Sequence, residues 1–147
     1  MKLKKNKKYS FALAIPTFNN HYDIKKLYLK FKKTNLKNYF ICFVDDSYTD
    51  QTIKEIKKNF KKNFIIINGP KEKNGRCAAV KSGFRWILKN INTKVVIEMD
   101  SDLSYNPTDI ENGLKLINKG SDLVIGSKYL KNSNVINRST SRIFFSY

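Results

Sequence analysis

Short runs of β-branched and aromatic residues recur along this chain, separated by segments whose apolar residues fall at helical spacing, and that alternation admits few folds. Phe11-Ala12-Leu13-Ala14-Ile15, Tyr39-Phe40-Ile41-Cys42-Phe43-Val44, Phe64-Ile65-Ile66-Ile67, Val95-Val96-Ile97 and Asp122-Leu123-Val124-Ile125-Gly126 read as strands. Asn19 or Asn20 caps a helix with Ile24, Leu27, Tyr28 and Phe31 on one face, and Thr49 or Asp50 caps another with Ile53, Ile56 and Phe60 inward. After a turn at Asn74-Gly75, a helix from about Cys77 to Lys89 carries Val80, Phe84, Ile87 and Leu88 on its expected buried face, with Trp86 covering an edge of that core. Pro107 opens a further helix with Ile110, Leu114 and Ile117 inward. Residues 131–141 are polar and read as a loop, and Ile143-Phe144-Phe145 begins a further apolar segment. Strands alternating with amphipathic helices predict an α/β fold, a mostly parallel sheet with helices on both faces.

The fourth run drives straight into acids, Val95-Val96-Ile97-Glu98-Met99-Asp100-Ser101-Asp102. Ending a buried strand in carboxylates costs desolvation unless a cation meets them. Mg2+ and Mn2+ accept carboxylate oxygens together with substrate phosphates, so a metal-bound diphosphate fits such a strand end. Ligands of open α/β sheets gather beyond the carboxyl ends of the strands. That rim receives Pro16-Thr17, Asp45-Asp46 and Asp100/Asp102.

At 147 residues, 41% hydrophobic and 13% aromatic, the chain has the material for a single domain, 1–147, with a basic tail at 1–8. No run of roughly 18 apolar residues is present to span a bilayer. The basic start is followed by too short an apolar stretch, interrupted by Pro16, to read as an export signal, so a cytoplasmic location is expected. Cys42 and Cys77 then read as reduced thiols, and the lone His21 excludes a His-rich metal site. The net charge of +17 attracts polyanions. Its lysines lack the aromatic interleaving and Arg clusters that read bases, which argues against a specific nucleic-acid partner and for attraction to a membrane surface.

The motifs, taken in order, resemble the GT-A-fold inverting glycosyltransferases of family 2, in particular their dolichol-phosphate mannose synthase and polyprenyl-phosphate glycosyltransferase type. Ile15-Pro16-Thr17-Phe18-Asn19 is similar to the family's I-P-T-Y-N. Val44-Asp45-Asp46-Ser47-Tyr48-Thr49-Asp50-Gln51-Thr52 resembles V-D-D-G-S-x-D-G-T. Asn74-Gly75-Arg76 with Ala79 and Gly83 resembles N-x-G-x-x-x-A-x-x-x-G. Glu98 to Pro107 is close to M-D-A-D-L-x-H-x-P, and Asp122 to Tyr129 to D-x-V-I-G-S-R-Y. Ser47 and Gln51 depart from the pattern by replacing glycines, and Lys128 replaces an arginine and so loses its bidentate fork. Such enzymes continue past an Arg-x-x-Ser-Arg region, here Arg138-Ser139-Thr140-Ser141-Arg142, into helices that hold a lipid acceptor, so that acceptor region is expected to be missing from this chain.

The resemblance implies metal-dependent transfer of a sugar from a UDP- or GDP-sugar donor to a polyprenyl (dolichyl or undecaprenyl) phosphate. Asp102 would coordinate Mg2+ or Mn2+, with Asp100 and Ser101 beside it and Asp100 facing the ribose or the metal's water shell. Asp46, Asn19 and the backbone at Pro16-Thr17 would receive the base and ribose. Lys128, Arg138 and Arg142 would grip the diphosphate or the acceptor phosphate, as would Arg76. A phosphate acceptor is already anionic and needs no general base. The residues offer no clear base in the last third, where Glu111 reads as solvated. Rival readings are a truncated nucleotide-sugar-binding remnant without turnover, one half of a split enzyme, and a basic surface binder with steep salt dependence. A nucleotidyltransferase would want a glycine-rich phosphate loop after the first strand, and none is there.

Overall fold

The computed structural model describes residues 7–70 and 75–127. The elements run β1 (Phe11–Thr17), α1 (His21–Lys32), β2 (Tyr39–Asp45), α2 (Gln51–Asn59), β3 (Phe64–Asn68), α3 (Gly75–Asn90), β4 (Val96–Glu98) and α4 (Thr108–Asn118). The strands pair in parallel in the order β3-β2-β1-β4. This is the doubly wound order expected of strands alternating with helices, and its direction of growth reverses between β1 and β4. The register sets Thr17 opposite Asp45 and Ala14 opposite Glu98, so β1, β2 and β4 end at one rim.

Alternation along the strands divides the core in two. On one face Ala12, Ala14, Phe40, Cys42 and Val44 pack with Ala79 and Ile87 of α3, and Phe40 stacks on Trp86 at 6.0 Å. On the other, Phe43 meets Phe60 at 5.1 Å and Phe31 meets Phe60 at 6.4 Å, joining the sheet to α1 and the end of α2. Ile24, Leu27 and Ile56 are fully buried, the inward positions that helical spacing predicts. Burying side chains of this size stabilises by about 1.5–3 kcal/mol each. Cys42 is sealed in this core, where burial pushes its thiol up to about 12, while Cys77 is an exposed free thiol.

The buried face of α3 differs from the expected one. Ala79, Gly83 and Ile87 face the sheet, whereas Leu88 is 71% exposed and Val80 and Phe84 are half-buried. A Cβ on Gly83 would lie 2.9 Å from Val44 Cγ2 and 3.0 Å from Ala14 Cβ. The helix sits so close to β1 and β2 that only small residues fit, and the larger apolar residues rotate to the flank.

Three further expectations are corrected. β4 is a three-residue strand, half-buried, with β1 as its partner among the described residues, rather than a deeply buried run. Asn20 and Asp50 occupy the N-cap positions of α1 and α2 but make no side-chain capping bond. Glu111 is not merely solvated, because its Oε1 accepts from the Asn35 N–H at 2.9 Å. Within the basic segment 1–8, Lys8 bridges to Asn92 in parallel and Lys7 lies over the Tyr9 ring.

The described residues fall into two compact units, divided between Glu111 and Asn112. The sheet and α1 to α3 lie in the first. In the second, α4 ends in a left-handed turn at Gly120 (φ 105°), with Ser121 N–H donating to Leu116 O and Gly120 N–H to Ile117 O. Those bonds close the last helical carbonyls in the Schellman manner. Residues 122–126, expected as a fifth strand, form none among the described residues. Among the described residues, no helix is long and apolar enough to cross a membrane.

Candidate functional site

A cleft of about 760 Å³ opens where β1, β2 and β4 end, at the reversal point where doubly wound sheets take their ligands. Its floor is set by strand register. Thr17 Oγ1 donates to Asp45 Oδ1 at 2.6 Å, and the Ser47 hydroxyl donates to the same oxygen at 2.7 Å. Asp45 is only 7% exposed, so these two hydroxyls supply the polar partners its carboxylate needs. The Asp46 N–H reaches back to Thr17 O at 3.0 Å, locking the second loop to the first.

With Asp45 committed to the floor, Asp46 presents its carboxylate to the cleft. Burial, then the neighbouring Asp45 charge, holds its pKa above the ordinary carboxylate value. A ligand bringing N–H or O–H donors to this group relieves that cost. Gly69, after β3, backs the same side chain, because a Cβ there would overlap the Asp46 carboxylate.

The opposite wall comes from β4 and the start of α3. Ser101 is buried and its hydroxyl donates to Pro16 O at 3.1 Å, fixing the segment that carries the acids to β1. Asp102 Oδ1 accepts from the Ser104 N–H at 2.9 Å and from the Ser104 hydroxyl. Leu103 between them takes a left-handed backbone (φ 68°), a conformation that costs a side-chain-bearing residue about 1 kcal/mol or more. Arg76 Nε donates to Asp100 Oδ1 at 2.7 Å, and its Nη2 bonds Glu98. The bond to Asp100 is the main reason the guanidinium holds its proton even more tightly than usual.

Of the expected site residues, Pro16, Thr17, Asp46, Arg76, Asp100, Ser101 and Asp102 all line this cleft. Asn19 does not line it; it braces the rim, donating its N–H to Ser47 Oγ and accepting the Tyr48 N–H at Oδ1. Lys128, Arg138 and Arg142 lie outside the described residues. Asp45 was expected at the rim but not as its buried floor, and Ser47, Gly69 and Glu98 were not anticipated as site residues. The small residue after β3 was the only signal for Gly69.

Five aspartates (45, 46, 50, 100 and 102) and one arginine are the charged residues among the described lining, in a chain of net charge +17. No group of three or more His, Cys, Asp or Glu among the described residues is placed to share a metal ion. Asp100 and Asp102 instead fit the mode in which one or two carboxylates hold Mg2+ or Mn2+ and substrate phosphates complete the shell.

The sequence profile of Glycosyl transferase family 2 matches residues 12–146. A dolichol-phosphate mannosyltransferase of Pyrococcus furiosus is 33% identical over 128 residues, which is 86% of this chain and 35% of that protein. A polyprenol monophosphomannose synthase of Mycolicibacterium smegmatis is 36% identical over 74 residues, 50% of this chain and 28% of that protein. An undecaprenyl-phosphate mannosyltransferase of Micrococcus luteus is 36% identical over 75 residues, 51% and 30% respectively. The chain thus spans about a third of the length of these curated relatives. A match over nearly the whole of the chain, on a doubly wound sheet with its cleft at the strand ends, makes it a member of glycosyl transferase family 2.

Proposed function

We propose that this cleft binds a nucleotide sugar with Mg2+ or Mn2+, and that the protein transfers the sugar to a polyprenyl phosphate. The observation that carries the reading is the charge of the cleft: five aspartates against one arginine among its described lining residues. A bare diphosphate is repelled there, whereas a diphosphate carrying a divalent cation is attracted. Asp102 and Asp100 would hold the metal, which when bound neutralises charge on the departing diphosphate. Asp46 accepts from the base and ribose, Thr17 and Ser101 keep the floor and wall in register, and Arg76 offers its free N–H groups to phosphate oxygens. Lys128, Arg138 and Arg142 serve the diphosphate or the acceptor phosphate. A lipid-phosphate acceptor is supported by the names of the three relatives, a dolichol-phosphate mannosyltransferase, a polyprenol monophosphomannose synthase and an undecaprenyl-phosphate mannosyltransferase. A basic chain that works on a lipid phosphate belongs at the cytoplasmic face of an anionic membrane, held peripherally.

The test is a melting-temperature screen of UDP, GDP and their sugars with Mn2+, Mg2+ or EDTA, followed by a transfer assay into organic-extractable polyprenyl phosphate. A ligand that binds only the native state raises the melting temperature by mass action. Metal-dependent stabilisation by one nucleotide, with label moving to the lipid, is expected. Stabilisation without transfer makes the chain a nucleotide-sugar-binding module, and no stabilisation removes the donor site.

Gly69→Ala is expected to weaken nucleotide affinity about tenfold, the scale of one hydrogen bond to a charged group, because its methyl displaces the Asp46 carboxylate. Calorimetry alongside thermal melting checks this: unchanged affinity would show that Asp46 does not touch the nucleotide.

A further inference from the structure

Two aromatic rings stand at the mouth of the cleft with no core to join. Phe18 is 51% exposed and Tyr48 is 77% exposed, and both line the cleft among residues that are otherwise largely polar. Their ring centroids lie 5.1 Å apart with an interplanar angle of 77°, so they meet edge to face. In that arrangement each ring keeps at least one face clear of the other. The pair is held by the backbones on either side. Asn19 adopts a left-handed conformation (φ 53°), donates its N–H to Ser47 Oγ at 2.8 Å, and accepts the Tyr48 N–H at 3.4 Å. Ser47 in turn is tied to Asp45 and lies 3.1 Å from Thr52 Oγ1. Ser47 and Tyr48 occupy the positions where the pattern V-D-D-G-S-x-D-G-T has glycine and serine, so the hydroxyl brace and the second ring are both departures of this chain.

We propose that Tyr48, set edge to face with Phe18 by the Ser47–Asn19 brace, is a donor-binding residue on which the heterocyclic base of the donor stacks. This rests on the donor-site reading above. A flat ring with an open face at the entrance of a polar cleft gains little from water and much from a second flat ring, which is how aromatic side chains hold bases regardless of their hydrogen-bonding edges. Asp46, on the same loop two residues earlier, is placed to accept from the edge of a base held in this way.

The experiment is calorimetry on the full chain with GDP, UDP and inorganic pyrophosphate, each with Mn2+, for the natural protein, Tyr48→Ala and Tyr48→Phe. Tyr48 is exposed, so unchanged melting temperatures are expected for both variants. Tyr48→Ala is expected to weaken whichever nucleoside diphosphate the natural protein binds by about tenfold, the loss of one stacking ring. Pyrophosphate, which has no base, keeps its affinity, and Tyr48→Phe binds like the natural protein. Unchanged nucleotide binding in Tyr48→Ala overturns the proposal. An equal loss for pyrophosphate overturns it too, making Tyr48 a loop support. So does a Tyr48→Phe variant as weak as Tyr48→Ala, which would place the effect on the hydroxyl. A natural protein that binds pyrophosphate but neither nucleotide overturns the stacking role while leaving the metal–diphosphate site. One that binds none of the three removes the donor site and the stacking role with it.

Discussion

Asp102→Asn is expected to remove the metal-dependent stabilisation by nucleotide and to lower sugar transfer at least about 100-fold, close to 2.7 kcal/mol of transition-state stabilisation. Asparagine is the informative replacement. Its Oδ1 still accepts from the Ser104 N–H, so the turn that holds Leu103 in its left-handed conformation survives, and only the charge is lost. Asp102 is exposed and forms no ion pair among the described residues, so stability without ligand should hardly change. Asp100 cannot take over alone, because Arg76 already occupies its Oδ1. The decisive comparison is melting temperature with GDP or UDP plus Mn2+ against the same nucleotide plus EDTA. Equal Mn2+-dependent shifts in the natural protein and the variant would take the metal away from Asp102.

Gly83→Val should cost about 2–3 kcal/mol, the overpacking range, and lower the melting temperature by roughly 5–10 °C in a domain of this size. The Cβ alone meets Val44 Cγ2 and Ala14 Cβ inside ordinary van der Waals separation. Neither neighbour can move away, since both sit on the two central strands of the sheet and are fully buried. Relief must come from α3 backing off, which pulls Arg76, in its first turn, away from Asp100. Denaturant unfolding measures the cost. An unchanged midpoint would mean that the helix is not pressed against the sheet as described.

The strands and the polar rim were legible because they are local: a β-branched run and the acids at its end lie within a few residues of each other. The α/β class and the neighbouring ends of β1, β2 and β4 followed from that. What escaped reading depends on register between distant segments. Asp45 becomes the floor of the cleft only because β1 and β2 align Thr17 opposite it, 28 residues away in sequence. Arg76 reads as a free phosphate-binding cation until α3 brings it to Asp100, 24 residues on. The face of α3 was misread for a related reason. Val80, Phe84 and Leu88 carry the hydrophobic signal, but closeness of approach, set by Ala14 and Val44, decides in favour of Ala79 and Gly83. The segment 122–126 shows the reverse case, a strand-like composition without a strand among the described residues.

The two walls of the cleft differ in stiffness. One is anchored by a helix whose Gly83 packs directly against the Ala14 and Val44 side chains of the sheet, where any shift opens a void or a clash. The other consists of the loops at 18–20 and 46–50, joined to each other by side-chain hydrogen bonds that water can replace. Adjustment to donors of different size therefore falls to the side that carries Phe18, Asp46 and Tyr48. The side that carries Arg76, Asp100 and Asp102 stays as a fixed anvil.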